Sequence, residues 1–483
     1  MRRLIYISLL LATILASCSP RNLTPVSERS ITLEDCPLTP PSGRSYDAQC
    51  GTLSVPEDRS NPSGRQIELH IAVIPAIKRD PEPDALFLIA GGPGQSAIET
   101  FPAIFALMFN IHKDRDIVLV DQRGTGKSNP LQCLGPEDEA LTEDQVLEKL
   151  KACPETLDAD PRFYTTEIAM TDLDEVRAAL GYETINLYGA SYGTRAALTY
   201  LRMFPDRVRT VTLDAVVDPG FVMFMDSAED GQLALEQFFA RCEADEICRS
   251  EFPNLRSEFN GLLARLEESP AEITPPHPVT NKPLELTVTR QMITNMVFNT
   301  LYLPDLVATL PLSIHVAFAD ENYVPLISQA FLVDAGLYDG MFYAVTCTED
   351  APLISAEEAA RRSEETVFVD RTVDFAAVCA EWQQGQVSPE FREPVTSDVP
   401  VLIFSGTADP ITPPHHAQTV AESLTNELHL IFSNMGHGNI SNPCSSDLFS
   451  DFIENASIEG LDTACVESVE PPPFFVDFSG PRP

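Results

Sequence analysis

The stretch INLYGASYGT, residues 185–194, decides how this chain is interpreted. An apolar run leads into a turn of small residues centred on Ser191, and a helix-forming segment begins near Thr194. Gly189 and Gly193 leave a sharp strand-to-helix turn free of side chains, so that Ser191 can adopt strained backbone angles. The pattern predicts a nucleophile elbow that exposes the serine hydroxyl; the alternative is a plain turn of small residues.

Two later loops carry the residues that would complete a catalytic triad. The strand-like run Val399–Phe404 leads into a loop with Asp409, and the run Leu428–Phe432 leads into a loop with His437. Serine, aspartate and histidine in this chain order are typical of α/β-hydrolases. We therefore expect Ser191 to attack a carbonyl carbon, His437 to transfer its proton to the leaving group, and Asp409 to orient the imidazole.

Asp214 is the serious rival to Asp409, because it ends another strand-like run, Val208–Leu213. Asp409 is preferred since its loop is followed by a helix and by the strand that carries the histidine. The remaining histidines fit surface or core positions better than a catalytic one: His70, His112, His277, His315, His415, His416 and His429.

A glycine-rich loop, Gly91–Ser96, follows the strand-like run Ala85–Ala90. Backbone N–H groups can approach a developing oxyanion closely in such a loop, and the hydrolase pattern takes one from Gly92 and one from Tyr192. The segment Gly92–Ala97 also matches a dinucleotide-binding fingerprint, with Asp121 as the ribose-binding acid. Pro93 removes a backbone donor and the triad would be left unexplained, so we favour the oxyanion hole.

Taken together, five segments resemble the proline iminopeptidase and tripeptidyl aminopeptidase family of α/β-hydrolases: Gly91–Gly94, Asp121–Gly126, Gly189–Gly193, Gly406–Asp409 and Gly436–Gly438. The resemblance covers most of the chain after Cys50. Ala90 stands where a histidine usually precedes the loop, and this places the chain nearer the larger, secreted branch of the family.

The resemblance implies a mostly parallel sheet flanked by helices, with an inserted and mainly helical cap. It also implies a serine aminopeptidase without cofactor, which would release proline-type residues or tripeptide units from peptides with a free amino terminus. Near Glu349 and Asp350 this branch carries an acidic residue that meets the substrate amine; the alternative is a solvated acidic pair. An esterase or lipase using the same triad remains the second reading.

The first residues indicate export. Met1–Arg3 is a charged segment, and Leu4–Leu15 is an apolar one that is too short to span a bilayer comfortably. Leu15–Cys18 resembles a bacterial lipobox, so Cys18 is expected to be lipidated and to become the mature amino terminus, the alternative being ordinary cleavage nearby. We predict a membrane-anchored lipoprotein of the bacterial cell envelope.

The cysteines agree with an oxidising compartment, since the chain has 11 and removing Cys18 leaves an even number. Pairing of sequence neighbours is expected: Cys36 with Cys50, Cys133 with Cys153, Cys242 with Cys248, Cys347 with Cys379, and Cys444 with Cys465. No cysteine pair has zinc-finger spacing with histidines, and no metal is expected. The 32 basic and 72 acidic residues argue against nucleic acid as a partner.

The motif positions divide the chain into six segments: a signal peptide (1–17), a lipidated tether (18–35), the first part of the hydrolase core (36–217), the cap (218–397), the second part of the core (398–470) and a Pro-rich tail (471–483), which we expect to be loosely packed. Four cap segments read as helices: Gln232–Arg241, Leu255–Glu268, Gln291–Leu301 and Ala356–Val369.

Overall fold

The computed structural model describes residues 31–40, 43, 45–135, 138, 141–276, 281–330, 336–355, 357, 361, 366–368 and 371–482. The expected signal peptide and Cys18 lie outside these residues, as does most of the expected helix Ala356–Val369.

The described residues form eleven strands: β1 (Glu34–Leu38), β2 (Tyr46–Pro56), β3 (Gln66–Ile74), β4 (Leu86–Ile89), β5 (Ile117–Val120), β6 (Ile185–Ala190), β7 (Val208–Asp214), β8 (Ala271–Ile273), β9 (Leu286–Val288), β10 (Val401–Gly406) and β11 (Glu427–Phe432). Nine of them make one sheet in the order β1-β2-β3-β5-β4-β6-β7-β10-β11, and β8 pairs with β9 as a separate hairpin. The first three strands of this order are antiparallel, and the six from β5 to β11 run parallel.

The central strands are apolar on both faces because helices cover both sides of the sheet. Every residue of β4 and β5 is buried, as are the first five residues of β6. Such continuous apolar runs are typical of parallel strands in α/β proteins. The structure therefore confirms the mostly parallel sheet flanked by helices that the sequence predicted.

The helices of the described residues have these bounds: Ala97–Thr100, Phe109–His112, Glu143–Ala152, Thr166–Leu180, Tyr192–Met203, Met225–Ala244, Glu246–Glu251, Leu255–Glu268, Arg290–Leu301, Pro304–Val307, Leu310–Ala319, Val324–Ala330, Asp339–Glu349, Arg371–Cys379, Pro414–Ala421 and Pro443–Asn455. In this part of the chain, no helix combines the length and the apolar character that a membrane crossing requires.

The insertion between β7 and β10 packs in two parts. Its first part, up to Ala330, builds a separate hydrophobic cluster around buried residues such as Phe259 and Val297. In its second part, Met341 and Phe375 pack into the main cluster beside the sheet. The helix Asp339–Glu349 thus belongs to the wall of the core, although the sequence places it in the cap.

The expectation of a loosely packed tail is wrong. Phe474 and Val476 are buried in the first part of the insertion, and the backbone N–H of Phe475 donates to the carbonyl of Ala308 at 2.8 Å. The guanidinium of Arg241 lies 4.2 Å from the ring centre of Phe474. Proline content suggested a loose tail, but the apolar side chains between the prolines find a surface to cover.

Five disulfides join sequence neighbours, and each expected pair is confirmed: Cys36–Cys50, Cys133–Cys153, Cys242–Cys248, Cys347–Cys379 and Cys444–Cys465.

Candidate active site

Ser191 occupies a sharp elbow between β6 and the helix Tyr192–Met203, with φ 55° and ψ −125°. A Cβ atom at Gly189 would lie 2.3 Å from the carbonyl oxygen of Gly193, and one at Gly193 would lie 2.3 Å from that of Ile89. Neither position has room for a side chain. The two glycines therefore allow the close strand-to-helix contact that turns Ser191 outward.

Asp409 and His437 form the second element of the site. Asp409 follows β10 and accepts a hydrogen bond at 2.9 Å from Nδ1 of His437. The N–H groups of Ile411 and Thr412 each donate to the other carboxylate oxygen at 2.9 Å. Burial opposes ionisation of Asp409, but the charge and hydrogen bond of His437 lower its pKa below the ordinary value. Burial likewise opposes charge on His437, and the carboxylate nevertheless raises the histidine's pKa.

Asp214, the rival acid, has a different task. It is fully buried at the end of β7 and accepts hydrogen bonds from the backbone N–H groups of Asn439 (2.8 Å) and Ile440 (2.9 Å), and from the hydroxyl of Tyr188 (3.0 Å). These bonds fix the loop just after His437. The sequence preference for Asp409 as the partner of the imidazole agrees with this geometry.

The sheet brings the three expected triad residues to one edge, because β6, β10 and β11 are parallel and each residue follows the carboxyl end of its strand. Nδ1 of His437 faces Asp409, which leaves Nε2 for proton transfer. Within the described residues, the hydroxyl of Ser191 and the His437 ring make no mutual hydrogen bond. In serine hydrolases this contact often tightens only when substrate is bound.

A small cavity opens at Ser191. Gly92, with φ 104°, and Tyr192, the first residue of the elbow helix, both line it, so the two expected oxyanion donors border the same space as the nucleophile. A helix N-terminus favours negative charge there. The rest of the wall is mostly apolar, and its two charged side chains are Arg195 and Asp350. The other residues that line it are Pro93, Val217, Phe221, Met223, Ile411 and Thr412.

The contacts of Asp121 argue against a dinucleotide site at the glycine-rich loop. Its carboxylate accepts hydrogen bonds from the hydroxyl of Ser96 (2.5 Å) and from the backbone N–H groups of Ile98 (3.1 Å) and Lys127 (3.2 Å). The acid that would contact a ribose is thus buried and used to hold two loops together.

Glu349 and Asp350 are not a solvated pair, since they are 3% and 1% exposed. Glu349 accepts from the backbone N–H and the hydroxyl of Thr166, at 2.7 and 2.9 Å. Burial raises the pKa of Glu349 to about 7, although the nearby Arg195 acts in the opposite direction. Unlike Asp350, Glu349 is absent from the cavity wall.

Asp350 lines the cavity with one oxygen occupied and one unused. Its Oδ1 accepts from Arg195 at 3.0 Å and from Arg392, whereas its buried Oδ2 has no hydrogen-bond partner among the described residues. Leaving a buried charged oxygen unpaired is costly, and Asp350 lines the same cavity as Ser191.

The sequence reading missed Thr166, Arg392 and the contribution of Arg195. Arg195 lies one helical turn after Ser191, so the helix prediction could have placed it beside the nucleophile. Thr166 and Arg392 come from distant segments that carry no motif, and only tertiary structure brings them to the site.

One group of side chains within the described residues has donor atoms close enough to hold a metal: Asp230, His415 and His416. His416, however, is bonded through Nδ1 to Asp218 and through Nε2 to Asp230, the latter at 2.9 Å. Burial opposes charge on His416, but the two carboxylates raise its pKa to about 9. A protonated histidine has no lone pair for a metal, so we interpret this group as an ion-pair cluster.

Comparisons with known families and proteins bear on the fold and the family of this chain. The α/β-hydrolase fold family matches residues 84–245, and the TAP-like protein family matches residues 365–465. Tripeptidyl aminopeptidase of Streptomyces lividans is 34% identical over 35% of this chain and 36% of its own length. Serine protease Hip1 of Mycobacterium tuberculosis is 30% identical over 42% of each chain. Carboxylesterase B of the same species is 26% identical over 47% of this chain and 48% of its own length.

The matched segments thus span about a third to a half of these relatives. Proline iminopeptidase of Mycobacterium smegmatis, a solved structure, aligns over 84% of this chain and 98% of its own with 15% identity and a TM-score of 0.43, too loosely to inform the site. The two family matches and the tripeptidyl aminopeptidase relative confirm the resemblance drawn from the motifs. The chain therefore has the α/β-hydrolase fold and, over the matched segments, is similar to the tripeptidyl aminopeptidases.

Proposed function

We propose that this protein is a serine aminopeptidase that releases a proline-type residue or a tripeptide unit from a free amino terminus through an acyl-enzyme. The observation that carries the proposal is the unpaired, buried Oδ2 of Asp350, a residue that lines the cavity at Ser191. A substrate ammonium group brings three N–H donors and a positive charge, which would satisfy this oxygen.

The proposed reaction begins when Ser191 Oγ attacks the scissile carbonyl carbon and its proton passes to Nε2 of His437. Asp409 stabilises the imidazolium through Nδ1, and the N–H groups of Gly92 and Tyr192 receive the oxyanion. His437 then protonates the leaving amine as the C–N bond breaks, which produces the acyl-enzyme. Water attacks this ester with His437 again as the base, and Ser191 is regenerated.

Arg195 and Arg392 give Asp350 its orientation in this scheme. Both donate to Oδ1, and Arg195 also donates to the carbonyl of Phe221 at 2.9 Å. Because both cations act on one oxygen, the other is left for the substrate. The proposed amine site is therefore Asp350 alone, and Glu349, whose oxygens are occupied by Thr166, is not part of it.

We further propose that the protein acts outside the cytoplasm, anchored in the cell envelope through a lipid on Cys18. Five disulfides support an oxidising compartment, since such bonds persist mainly in exported proteins. Mass spectrometry of the amino-terminal peptide checks the anchor: an acylated Cys18 supports it, and an unmodified terminus elsewhere contradicts it.

An esterase with the same triad is the second candidate. The apolar part of the cavity wall, including Val217, Met223 and Ile411, could receive an acyl chain in place of a peptide side chain. Resemblance to a carboxylesterase supports this candidate as well. It would leave the unpaired oxygen of Asp350 without a task.

The deciding experiment measures kcat/KM for matched chromogenic amides and esters, each with a free and a blocked amino group. Ser191→Ala serves as the inactive control, and Asp350→Asn tests the amine site. We expect Ser191-dependent hydrolysis of free-amine amides, and a fall of about tenfold to a hundredfold in the ratio of free-amine to blocked-amine activity in Asp350→Asn.

Two results would overturn this assignment. A preference of the wild-type protein for blocked or simple acyl esters would make it an esterase. An unchanged free-to-blocked ratio in folded Asp350→Asn protein would remove Asp350 from the amine site.

A further inference from the structure

Glu349 lies at the end of a buried hydrogen-bond chain that reaches the residue after the nucleophile. Its oxygens accept from the N–H and the hydroxyl of Thr166, and this hydroxyl lies 2.8 Å from that of Tyr192. All three side chains are buried, so water does not compete for their polar groups. Hydrogen bonds in such surroundings are costly to break.

The number of hydroxyl protons determines which group donates at each hydrogen bond of this chain of side chains. A threonine hydroxyl has one proton, and that of Thr166 is donated to Glu349. Tyr192 must then donate its own proton to the oxygen of Thr166. Each donor has one acceptor, and moving the Tyr192 ring would leave a buried hydroxyl unpaired, which is costly.

Tyr192 links this chain to the chemistry. Its backbone N–H is at the first position of the elbow helix, next to Ser191 with its positive φ, and Tyr192 is one of the residues that line the cavity. Strained backbone angles persist only where the surroundings enforce them. The Tyr192 hydroxyl is held by Thr166, and this contact restrains the residue that follows Ser191.

We propose that Glu349 is a positioning residue, which acts through Thr166 to hold the Tyr192 backbone N–H in place for the oxyanion. This rests on the serine-hydrolase mechanism proposed above but not on the preference for a free amine. It assigns the two neighbouring acids separate tasks: Asp350 would bind the substrate, and Glu349 would support the oxyanion hole.

The test is a double-mutant cycle on Glu349→Gln and Tyr192→Phe, with kcat and KM measured on a free-amine amide and a blocked ester. Each single variant is expected to lower kcat about tenfold on both substrates, because a slightly misplaced donor stabilises the transition state less. KM should change little. The double variant should be no slower than the slower single variant, since both changes break one chain.

Thr166→Val interrupts the same chain from the middle and carries the test if Glu349→Gln does not fold, with Thr166→Ser as the matched control that keeps the hydroxyl. The inference is wrong if Glu349→Gln raises only KM and only for free-amine substrates. It is also wrong if the fold-losses in kcat of the two single variants multiply in the double variant. Loss of Ser191 dependence in the wild type would instead overturn the hydrolase mechanism itself.

Discussion

Two histidines, the half-buried His437 on a loop after β11 and the buried His416 on the helix Pro414–Ala421, have different surroundings. His437 contacts one carboxylate through Nδ1, and its Nε2 stays available. His416 contacts a carboxylate through each ring nitrogen, so both are occupied. A general base needs a nitrogen that can gain and lose a proton during the reaction. The number of carboxylates, more than burial, therefore separates a histidine suited to catalysis from one suited to structure.

The position of His416 suggests what its cluster stabilises. It lies on the helix Pro414–Ala421 of the core, whereas Asp230 belongs to the first long helix of the insertion, and Asp218 lies in the segment between β7 and that long helix. The protonated ring thus joins the insertion to the core. Its ring also packs against Phe221, which lines the cavity.

The largest expected effect tests the catalytic side of this comparison. His437→Ala should lower kcat by about 10⁶-fold, as removal of the base does in other serine hydrolases. His416→Gln, measured beside it, should stay within about tenfold of the wild type, because His416 contacts no reacting group. Steady-state kinetics on proteins shown to be folded by circular dichroism checks both values. Similar losses in both variants would contradict the division of roles.

A smaller effect separates the two acids near His437. Asp409→Asn should lower kcat about 10⁴-fold, since an amide favours the wrong tautomer of the imidazole. The loss of kcat in Asp214→Asn should be at least tenfold smaller than in Asp409→Asn. Asp214→Asn should instead reduce the free energy of unfolding by about 1–3 kcal/mol, because the new amide group would face a backbone N–H. Kinetics together with urea unfolding distinguishes them. A larger kinetic loss in Asp214→Asn would exchange their roles.

The ion pairs of His416 predict that the free energy of unfolding depends on pH. The pKa of His416 is raised to about 9, from an ordinary value near 6.5 in the unfolded chain. Folded protein therefore holds a proton that unfolded protein lacks between these values, and the stabilisation is complete below pH 6.5 and is lost as the pH rises through 9. It amounts to about 3 kcal/mol. The charged and titratable neighbours of the ring are Asp218, Asp230 and His415.

Urea unfolding at pH 6 and pH 9.5 measures this loss, and His416→Gln is the control that should show a much weaker decline. If the wild type and His416→Gln lose the same free energy over this range, the proton on His416 does not hold the insertion to the core.

The same contrast explains what could be predicted from the sequence. Ser191, Asp409 and His437 each follow an apolar run and lie among glycines, so a local pattern marks them, and the parallel sheet gathers them without further information. Neither partner of His416 has such a mark. Asp218 and Asp230 look like two more acids in a chain with 72, and tertiary packing alone selects them.

Glu349 and Asp350 show the same limit within two adjacent residues. A resemblance suggested both as contacts for an amine, yet the helix end directs one toward Thr166 and the other toward the cavity. Sequence adjacency could not separate them because the partners come from segments far apart in the chain. The prediction of a loosely packed tail failed for the same reason, since Phe474 is buried by a surface that exists only after the insertion folds.

The smallest expected effect distinguishes His416 from its neighbour His415. The side chain of His415 is 55% exposed, and its Nε2 lies 3.5 Å from Asp230, beyond a normal hydrogen bond. Burial lowers its pKa, so it is neutral at pH 7 and adds little to the cluster. His415→Gln should therefore change the free energy of unfolding by less than about 0.5 kcal/mol and keep the pH dependence of the wild type. If His415→Gln lost as much free energy of unfolding as His416→Gln, both histidines would share the proton. The comparison with His437 would then have to treat His415 and His416 as one group.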